Sequence, residues 1–206
     1  MERYPLELTG FKTNYYRPGK HFTNRKDRDW FSSNVPNWNI VFRHFFSGRT
    51  DLHFLELGTN MGMCSNYLLD TYPCKLDTVD VLDRIEVEEG GKQYYISSKD
   101  NLKPFLKNGR CTFYKQPTKE FLLEMIWTQL SEGEKYDFVY IDASHEPHDV
   151  LSDALLSFEL LKHDGLMILD DYGWGECAKG IDGFINSYSK KLEVFEKGYQ
   201  VFIRKY

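Results

Sequence analysis

Two short apolar segments of the sequence, FVYI at 138–141 and LMIL at 166–169, each lead directly into acidic residues. Those acids are Asp142, Asp170 and Asp171. Apolar runs of this length are typical of buried strands. Because the carboxyl ends of neighbouring parallel strands open on one edge of a sheet, we expect the three carboxylates to lie close together at that edge.

Three adjacent carboxylates repel one another and raise one another's pKa unless a cation is present. Hard oxygen ligands on rigid strand ends suit Mg²⁺, with Mn²⁺ or Ca²⁺ as alternatives, and they leave coordination positions open for substrate oxygens. Acid pairs such as Asp170 and Asp171 also cap turns and helices, but that ordinary interpretation does not account for Asp142. The pattern therefore predicts a metal site formed by Asp142, Asp170 and Asp171.

His145 follows Asp142 by three residues and is predicted to lie in the turn before the next helix, at the same edge. An imidazole there is suited to act as a general base near neutral pH. A lone histidine is more often a packing or surface residue, so this assignment depends on the nearby acids. His148, its nearest competitor, falls inside the predicted helix, and we assign it a structural role.

A second group of residues follows the first predicted strand, in FLELGTNMGMCS at 54–65. Gly58 and Gly62 allow a sharp turn against which a ligand can lie, and the helix that follows offers unpaired N–H groups. The spacing is not GxGxxG, which disfavours a dinucleotide site and hence a nicotinamide dehydrogenase. Asp80 ends the second strand, where an acid can accept hydrogen bonds from a ribose diol. Either feature alone is also compatible with an ordinary turn.

Strands and helices alternate along most of the chain, which predicts βαβ units and a parallel sheet. We predict strands at 53–57, 75–81, 111–116, 136–142 and 165–171, and helices at 37–46, 61–71, 119–130, 147–162 and 181–190. Residues 192–206 form two alternating runs joined at Lys197 and Gly198, which predicts an antiparallel hairpin. The segment 83–110 receives no assignment. We expect one domain, with an irregular arm at 1–36 and the core at 37–206.

The composition predicts a soluble globular protein, since 41% of the residues are hydrophobic and no apolar run approaches the ~18 residues that span a bilayer. We expect a cytoplasmic location, because there is no apolar secretory segment and the four cysteines form no CxxC pair. Residues 1–49 carry a net charge of +5 and the rest −10. The acidic body disfavours a nucleic-acid partner. A homo-oligomer is left open.

Together these residues resemble a class I S-adenosylmethionine-dependent methyltransferase over residues 37–206. The resemblance implies an α/β, Rossmann-like sheet of seven strands in the order 3-2-1-4-5-7-6, with strand 7 antiparallel and helices on both faces. It implies that the glycine turn binds the methionine part of the cofactor, that Asp80 binds the ribose, and that Thr118 lies at the adenine. The cofactor contacts it implies are Glu56, Gly58, Asn60, Gly62, Asp80, Thr118 and Asp142.

Within that class, IDASH…LLKHDGLMILDDY is similar to the metal-dependent, macrocin-type enzymes that methylate sugar hydroxyls. His145 and Asp171 depart from the catechol-type pattern, which has Lys and Asn at these positions. The resemblance implies Mg²⁺ or Mn²⁺, a small-molecule or glycan acceptor, and catalysis by His145 and Asp142. We expect residues 15–38 to form a lid whose tyrosines, Trp30 and basic side chains stack on a sugar and bind a diphosphate or a charged glycan. Trp174 is predicted to line the same pocket. A catechol-like acceptor, RNA or a nucleotide, and a non-catalytic cofactor-binding subunit remain alternatives.

Overall fold

The computed structural model describes residues 16–23, 29–89, 92–129 and 135–206. Its strands are β1 (Leu52–Leu57), β2 (Cys74–Asp80), β3 (Arg84–Glu89), β4 (Lys92–Ser97), β5 (Cys111–Lys115), β6 (Tyr136–Ile141), β7 (Leu161–Leu169), β8 (Leu192–Lys197) and β9 (Val201–Lys205). Its helices are α1 (Val35–Phe46), α2 (Met63–Thr71), α3 (Ser98–Asn101), α4 (Lys103–Lys107), α5 (Thr118–Gln129), α6 (Pro147–Leu160) and α7 (Cys177–Tyr188). A 3₁₀ turn at Ser32–Asn34 leads into α1.

Seven of these strands form one mixed sheet in the order β5-β2-β1-β6-β7-β9-β8. The pairs from β5 to β7 are parallel, whereas β9 is antiparallel to both β7 and β8. When the seven strands are numbered in chain order, this is 3-2-1-4-5-7-6 with the last strand reversed. The predicted sheet order and the terminal hairpin are therefore confirmed.

The central strands are buried on both faces, which is why their sequences are apolar runs rather than alternating ones. Phe138 and Tyr140 of β6 belong to an apolar cluster with α1 and α2, while Val139 and Ile141 face a second cluster with α5, α6 and α7. The side chain of Trp38 in α1 is fully buried on the first face. Helices thus cover both faces, as expected. None of the described helices is long and apolar enough to cross a membrane.

A second sheet, formed by the antiparallel pair β3 and β4, lies within the segment that received no assignment. Its buried side chains, Val87 and Ile96, pack with Met61 of the glycine turn. The alternation of RIEVEE and KQYYIS, on either side of Gly90 and Gly91, is the signal that predicts such a hairpin. The hairpin thus supports the loop that follows β1.

Helices α6 and α7 pack closely where α6 begins, just after the segment that carries His145. Helix α7 starts at Cys177, four residues before the predicted start, and so includes Gly180. A Cβ at Gly180 would lie 2.4 Å from the carbonyl oxygen of Pro147 and 3.0 Å from Cβ of Val150. A glycine is therefore required for this close approach.

We predict that Gly180→Ala lowers the free energy of unfolding by about 1–3 kcal/mol, because the added methyl group forces α6 and α7 apart. Gly183→Ala is the matched control on the same helix, since its Cβ would meet Leu151 at an ordinary 3.5 Å. That variant should raise the free energy of unfolding by up to about 1 kcal/mol through helix propensity. Urea denaturation measures both values, and equal effects would contradict the packing argument.

Candidate active site

An open cleft of about 1490 Å³ runs along the edge of the sheet where the parallel strands end. The strand order places the ends of β5, β2 and β1 on one side, the ends of β6 and β7 in the middle, and the β8–β9 turn on the other side. The predicted lid is described only at 16–23 and 29–38, and from it Trp30, Asn34 and Asn37 line the cleft. Its remaining residues lie outside the described ranges.

Gly58 connects the two predicted groups of residues, which are the glycine turn after β1 and the acids after β6 and β7. Its φ of +92° lies in the left-handed region, and a Cβ there would stand 1.8 Å from the carbonyl oxygen of Asp142. The main chain after β1 therefore runs directly against the main chain after β6, and no side chain could fit between them. This contact brings the glycine turn beside the first acid.

Asp80 stabilises the glycine turn. Its Oδ2 accepts hydrogen bonds from the main-chain N–H groups of Thr59 at 3.0 Å and Asn60 at 2.8 Å. Its Oδ1 accepts from the N–H of Leu82 at 2.9 Å. A carboxylate offers about four acceptor positions, so one remains for a ligand. Ribose binding by Asp80 stays a prediction. Its hydrogen bonds to the main chain of the turn give it an additional, structural role.

Glu56 lies fully buried beneath the turn and does not line the cleft. Gly62, within the turn, is also buried and does not line the cleft. For Glu56, hydrogen bonds hold the carboxylate in place. Its Oε2 accepts hydrogen bonds from Ser65 and from Thr78, the latter at 2.6 Å, while its Oε1 has no partner among the described residues. Burial raises the pKa of Glu56 to about 7. The side chain thus supports the turn from below, and its predicted contact with the cofactor remains untested.

Thr118 lines the side of the cleft near β2 and β5. Its hydroxyl group donates to the carboxyl group of Asp153, 2.9 Å away, where burial raises the pKa of Asp153 to about 6. Apolar side chains stand exposed around it, which fits a flat ring such as adenine. These are Val81, Leu82 and Leu123.

The three predicted acids do converge in the middle of the cleft. Asp142 follows β6, while Asp170 and Asp171 follow β7, and all three line the cleft. Burial and the neighbouring carboxylates of Asp170 and Asp171 raise the pKa of Asp142 well above its usual range. Burial also raises the pKa of Asp170. Asp142 is nevertheless accessible to solvent through the cleft that it lines.

Neutral donors hold the pair after β7. Asp170 accepts a hydrogen bond from the hydroxyl group of Tyr140 through Oδ2, and from the N–H of Asp171 at 2.8 Å through Oδ1. Asp171 accepts one from the hydroxyl group of Tyr199. The φ of Asp171 is +57°, which is rare for a residue with a side chain and is often found at functional sites.

His145 contacts the same acids. Its Nε2 lies 3.0 Å from Oδ2 of Asp171, and its ring packs edge to face on Trp174 with the centroids 4.6 Å apart. These two contacts orient the imidazole, whose side chain is 46% exposed. Trp174 itself lines the cleft, as predicted from its position after the acid pair.

The donor set matches a divalent cation. Asp142, His145 and Asp171 each offer one atom within 4.8 Å of the other two. Asp170 does not join that group and instead contacts Tyr140. Predominantly oxygen donors with unneutralised charge favour a hard ion such as Mg²⁺ or Mn²⁺. The predicted trio and the observed group therefore share Asp142 and Asp171 and differ in the third member.

The described lining of the cleft contains eight Asp or Glu residues, one lysine, Lys119, and no arginine. No described lysine or arginine forms an ion pair with Asp142, Asp170 or Asp171. Like charges without a counter-ion are costly in a partly enclosed site. Within the described part of the chain, no lysine or arginine thus compensates these acids, and only the imidazole of His145 lies beside Asp171.

Of the predicted site residues, those that line the cleft are Gly58, Asn60, Asp80, Thr118, Asp142, His145, Asp170 and Asp171. Sequence reasoning missed Tyr140, Tyr199 and Gln200, which contact the acids or one another. Tyr199 and Gln200 belong to the turn of the reversed hairpin, and no local motif marks them. The predicted topology alone places that turn beside β7.

The sheet order, the glycine turn and the cleft define a class I S-adenosylmethionine-dependent methyltransferase fold. A protein-family model described as a methyltransferase domain matches residues 55–172, which is more than half of the chain. The chain therefore belongs to this methyltransferase domain family. No curated protein matches the sequence.

Solved methyltransferases share this fold. MycE methyltransferase from the mycinamycin biosynthetic pathway, in complex with Mg and SAH, is similar with a TM-score of 0.60 at 16% identity, over 87% of this chain and 51% of MycE. The chain thus spans about half the length of MycE. An rRNA methylase from Streptococcus thermophilus matches with a TM-score of 0.56 at 9% identity, over 86% of this chain and 99% of that one. The N-methyltransferase NodS from Bradyrhizobium japonicum WM9 matches with a TM-score of 0.52 at 11% identity, over 84% and 96%.

We predict that Glu56→Gln changes the pH dependence of stability. Burial raises the pKa of Glu56 from 4.5 to about 7, so the folded protein keeps a proton that the unfolded chain releases. Stability from this group is present below pH ~4.5 and is lost as the pH rises through ~7, whereas glutamine imitates the protonated form at every pH. In urea denaturation without cofactor, the free energy of unfolding of the variant minus that of the wild type should increase by on the order of 3 kcal/mol from pH 4.5 to pH 8.

The exposed Glu88→Gln is the control and should show no such trend. A constant difference in unfolding free energy between Glu56→Gln and the wild type across this pH range would contradict the assignment.

Proposed function

We propose that this methyltransferase transfers the methyl group of S-adenosylmethionine to a hydroxyl group of an uncharged glycoside, in a reaction that depends on a divalent cation. The observation that carries the proposal is the group of acids beside the glycine turn, which no described lysine or arginine contacts. MycE, whose fold is similar, has been solved with Mg, SAH and mycinamycin VI, which supports the same chemistry.

We assign Mg²⁺ or Mn²⁺ to Asp142, Asp170 and Asp171. When bound, the cation would neutralise the acids and act as a Lewis acid that lowers the pKa of a sugar hydroxyl group. The imidazole of His145 lies near the same oxygens, but a hard ion prefers carboxylates. We therefore assign His145 to proton transfer rather than to coordination.

His145 accepts the proton of the acceptor hydroxyl group. With its Nε2 proton donated to Asp171, 3.0 Å away, the lone pair resides on Nδ1, which is the basic atom. The hydroxyl oxygen then attacks the methyl carbon, the bond from that carbon to sulfur breaks, and its electron pair returns to sulfur. The products are a methyl ether, S-adenosylhomocysteine and a proton on His145.

Positioning supplies more of the rate enhancement than the base does. Holding the oxygen and the methyl group in near-attack geometry contributes ~7–11 kcal/mol, whereas general-base catalysis of about 10²- to 10⁴-fold corresponds to ~3–5 kcal/mol. The contact between Gly58 and the main chain of Asp142 sets the distance between the cofactor side and the acid side. Removing His145 should therefore leave a measurable rate.

The lining on the β8–β9 side favours an uncharged sugar. Trp174 and Tyr199 expose more than half of their side chains there, and aromatic faces suit the apolar face of a sugar ring. Asn34 and Asn37 line the cleft with groups that can hydrogen-bond to hydroxyls. Eight acids and one lysine line the described cleft, and a divalent cation would offset only two of the negative charges, so the remaining acids repel a diphosphate or an RNA backbone. A nucleotide sugar and RNA are therefore disfavoured.

A methyl-transfer screen tests the proposal, using neutral deoxysugar glycosides, nucleotide sugars, a catechol and a short RNA, with Mg²⁺ or with excess EDTA. We predict transfer to neutral glycosides only, and none in EDTA. Asp142→Asn should be inactive, because it removes a ligand charge. His145→Ala should lose about 10²- to 10⁴-fold in kcat.

His148→Ala is the matched control, because its imidazole is three residues away and largely exposed, and it should keep the wild-type rate. Full activity in EDTA would exclude the cation, and transfer to RNA or to a nucleotide sugar would overturn the proposed acceptor class.

A further inference from the structure

A buried chain of hydrogen bonds runs from the first helix to the acids. The indole Nε1 of Trp38 donates to Oε1 of Gln200 at 2.8 Å, and Nε2 of Gln200 reaches the hydroxyl oxygen of Tyr140 at 3.5 Å. Tyr140 in turn donates to Asp170. Trp38, Tyr140 and Gln200 are almost completely buried. These hydrogen bonds thus link α1, the β8–β9 turn, β6 and the end of β7.

The donor and acceptor groups allow only one direction for this series of hydrogen bonds. An indole N–H can only donate, so the acceptor oxygen of the Gln200 amide must face Trp38 and its NH₂ group must face Tyr140. Tyr140 therefore accepts from Gln200 and has one proton left to donate. That proton goes to Asp170, while Oδ2 of Asp142 also lies 3.2 Å from the same hydroxyl oxygen. Every link points its donor toward the acids.

A second buried tyrosine on the same strand provides an internal comparison. Tyr136 donates to Asp77 at 2.8 Å, and that carboxylate is also paired with His53 at 3.1 Å and with Lys135 at 3.3 Å. The negative charge of Asp77 is thus compensated by side chains. Asp170 has the equivalent tyrosine and no described lysine or arginine. The two tyrosine–aspartate pairs thus differ mainly in that a described lysine accompanies Asp77 but not Asp170.

We infer that Tyr140 is a positioning residue for the cation site, and that Gln200 and Trp38 hold its hydroxyl group directed at Asp170. This inference rests on the cation of the proposed function. Carboxylate ligands are themselves oriented by hydrogen bonds from an outer shell, and loss of such a bond typically lowers metal affinity about 10- to 100-fold. The reversed hairpin supplies Gln200 and thereby contributes to the site indirectly, through Tyr140.

Binding of Mn²⁺ to the full chain with saturating S-adenosylhomocysteine tests the inference, with free Mn²⁺ measured by electron paramagnetic resonance. Tyr140→Phe should bind Mn²⁺ about 10- to 100-fold more weakly than the wild type. Gln200→Met, which keeps the length of the side chain and leaves Tyr140 in place, should show a smaller loss. Tyr136→Phe is the matched control and should bind as the wild type does, although it also loses a buried phenol hydroxyl group.

A second readout separates positioning from unfolding. The indole N–H resonance of Trp38, assigned with Trp38→Phe, should shift when Mg²⁺ is added to the wild type and should stay unchanged in Tyr140→Phe. Equal Mn²⁺ affinities for Tyr140→Phe and the wild type, or equal losses for Tyr140→Phe and Tyr136→Phe, would overturn the inference alone. A wild-type protein that binds no Mn²⁺ would instead overturn the cation of the proposed function, and the inference with it.

Discussion

The repulsion among Asp142, Asp170 and Asp171 is the interaction on which the site depends. Two parallel strands, β6 and β7, carry these side chains to one edge of the sheet. Burial there raises the pKa of Asp142 and of Asp170, and the neighbouring carboxylates raise both further. Elsewhere in the protein, buried acids such as Asp77 and Asp137 are paired with lysine, arginine or histidine. Among the described residues, lysine or arginine thus accompanies these structural acids, whereas the acids in the cleft have only the imidazole of His145 beside Asp171.

The two halves of the cleft are built in different ways. The side formed by the glycine turn is largely local, because the turn, Asp80 and the main-chain N–H groups that Asp80 binds fall within about 25 residues of one another. The acid side is assembled from distant parts of the chain, since Trp38 and Gln200 are separated by 162 residues. Gly58 connects the halves through its contact with Asp142. Because that contact is between main-chain segments, the distance between the glycine turn and the acids is set by the backbone.

The sequence alone predicts the sheet order and the location of the acids, because periodicity marks buried strands and parallel strands place their ends together. It does not predict that His145, rather than Asp170, groups with Asp142 and Asp171 in the structure, since that grouping depends on side-chain contacts between different elements. The burial of Glu56 beneath the turn is likewise a matter of packing with Ser65 and Thr78. Local patterns locate strand ends, whereas contacts between distant side chains decide which groups meet there.

Diffraction at the manganese absorption edge, from crystals of the protein grown with S-adenosylhomocysteine and Mn²⁺, would locate a cation bound by these acids. We predict one strong anomalous peak in the cleft, within about 2.0–2.6 Å of carboxylate oxygens of Asp142, Asp170 and Asp171. Absence of a peak there would contradict it, as would a lysine or arginine side chain that occupies the same position and compensates the acids.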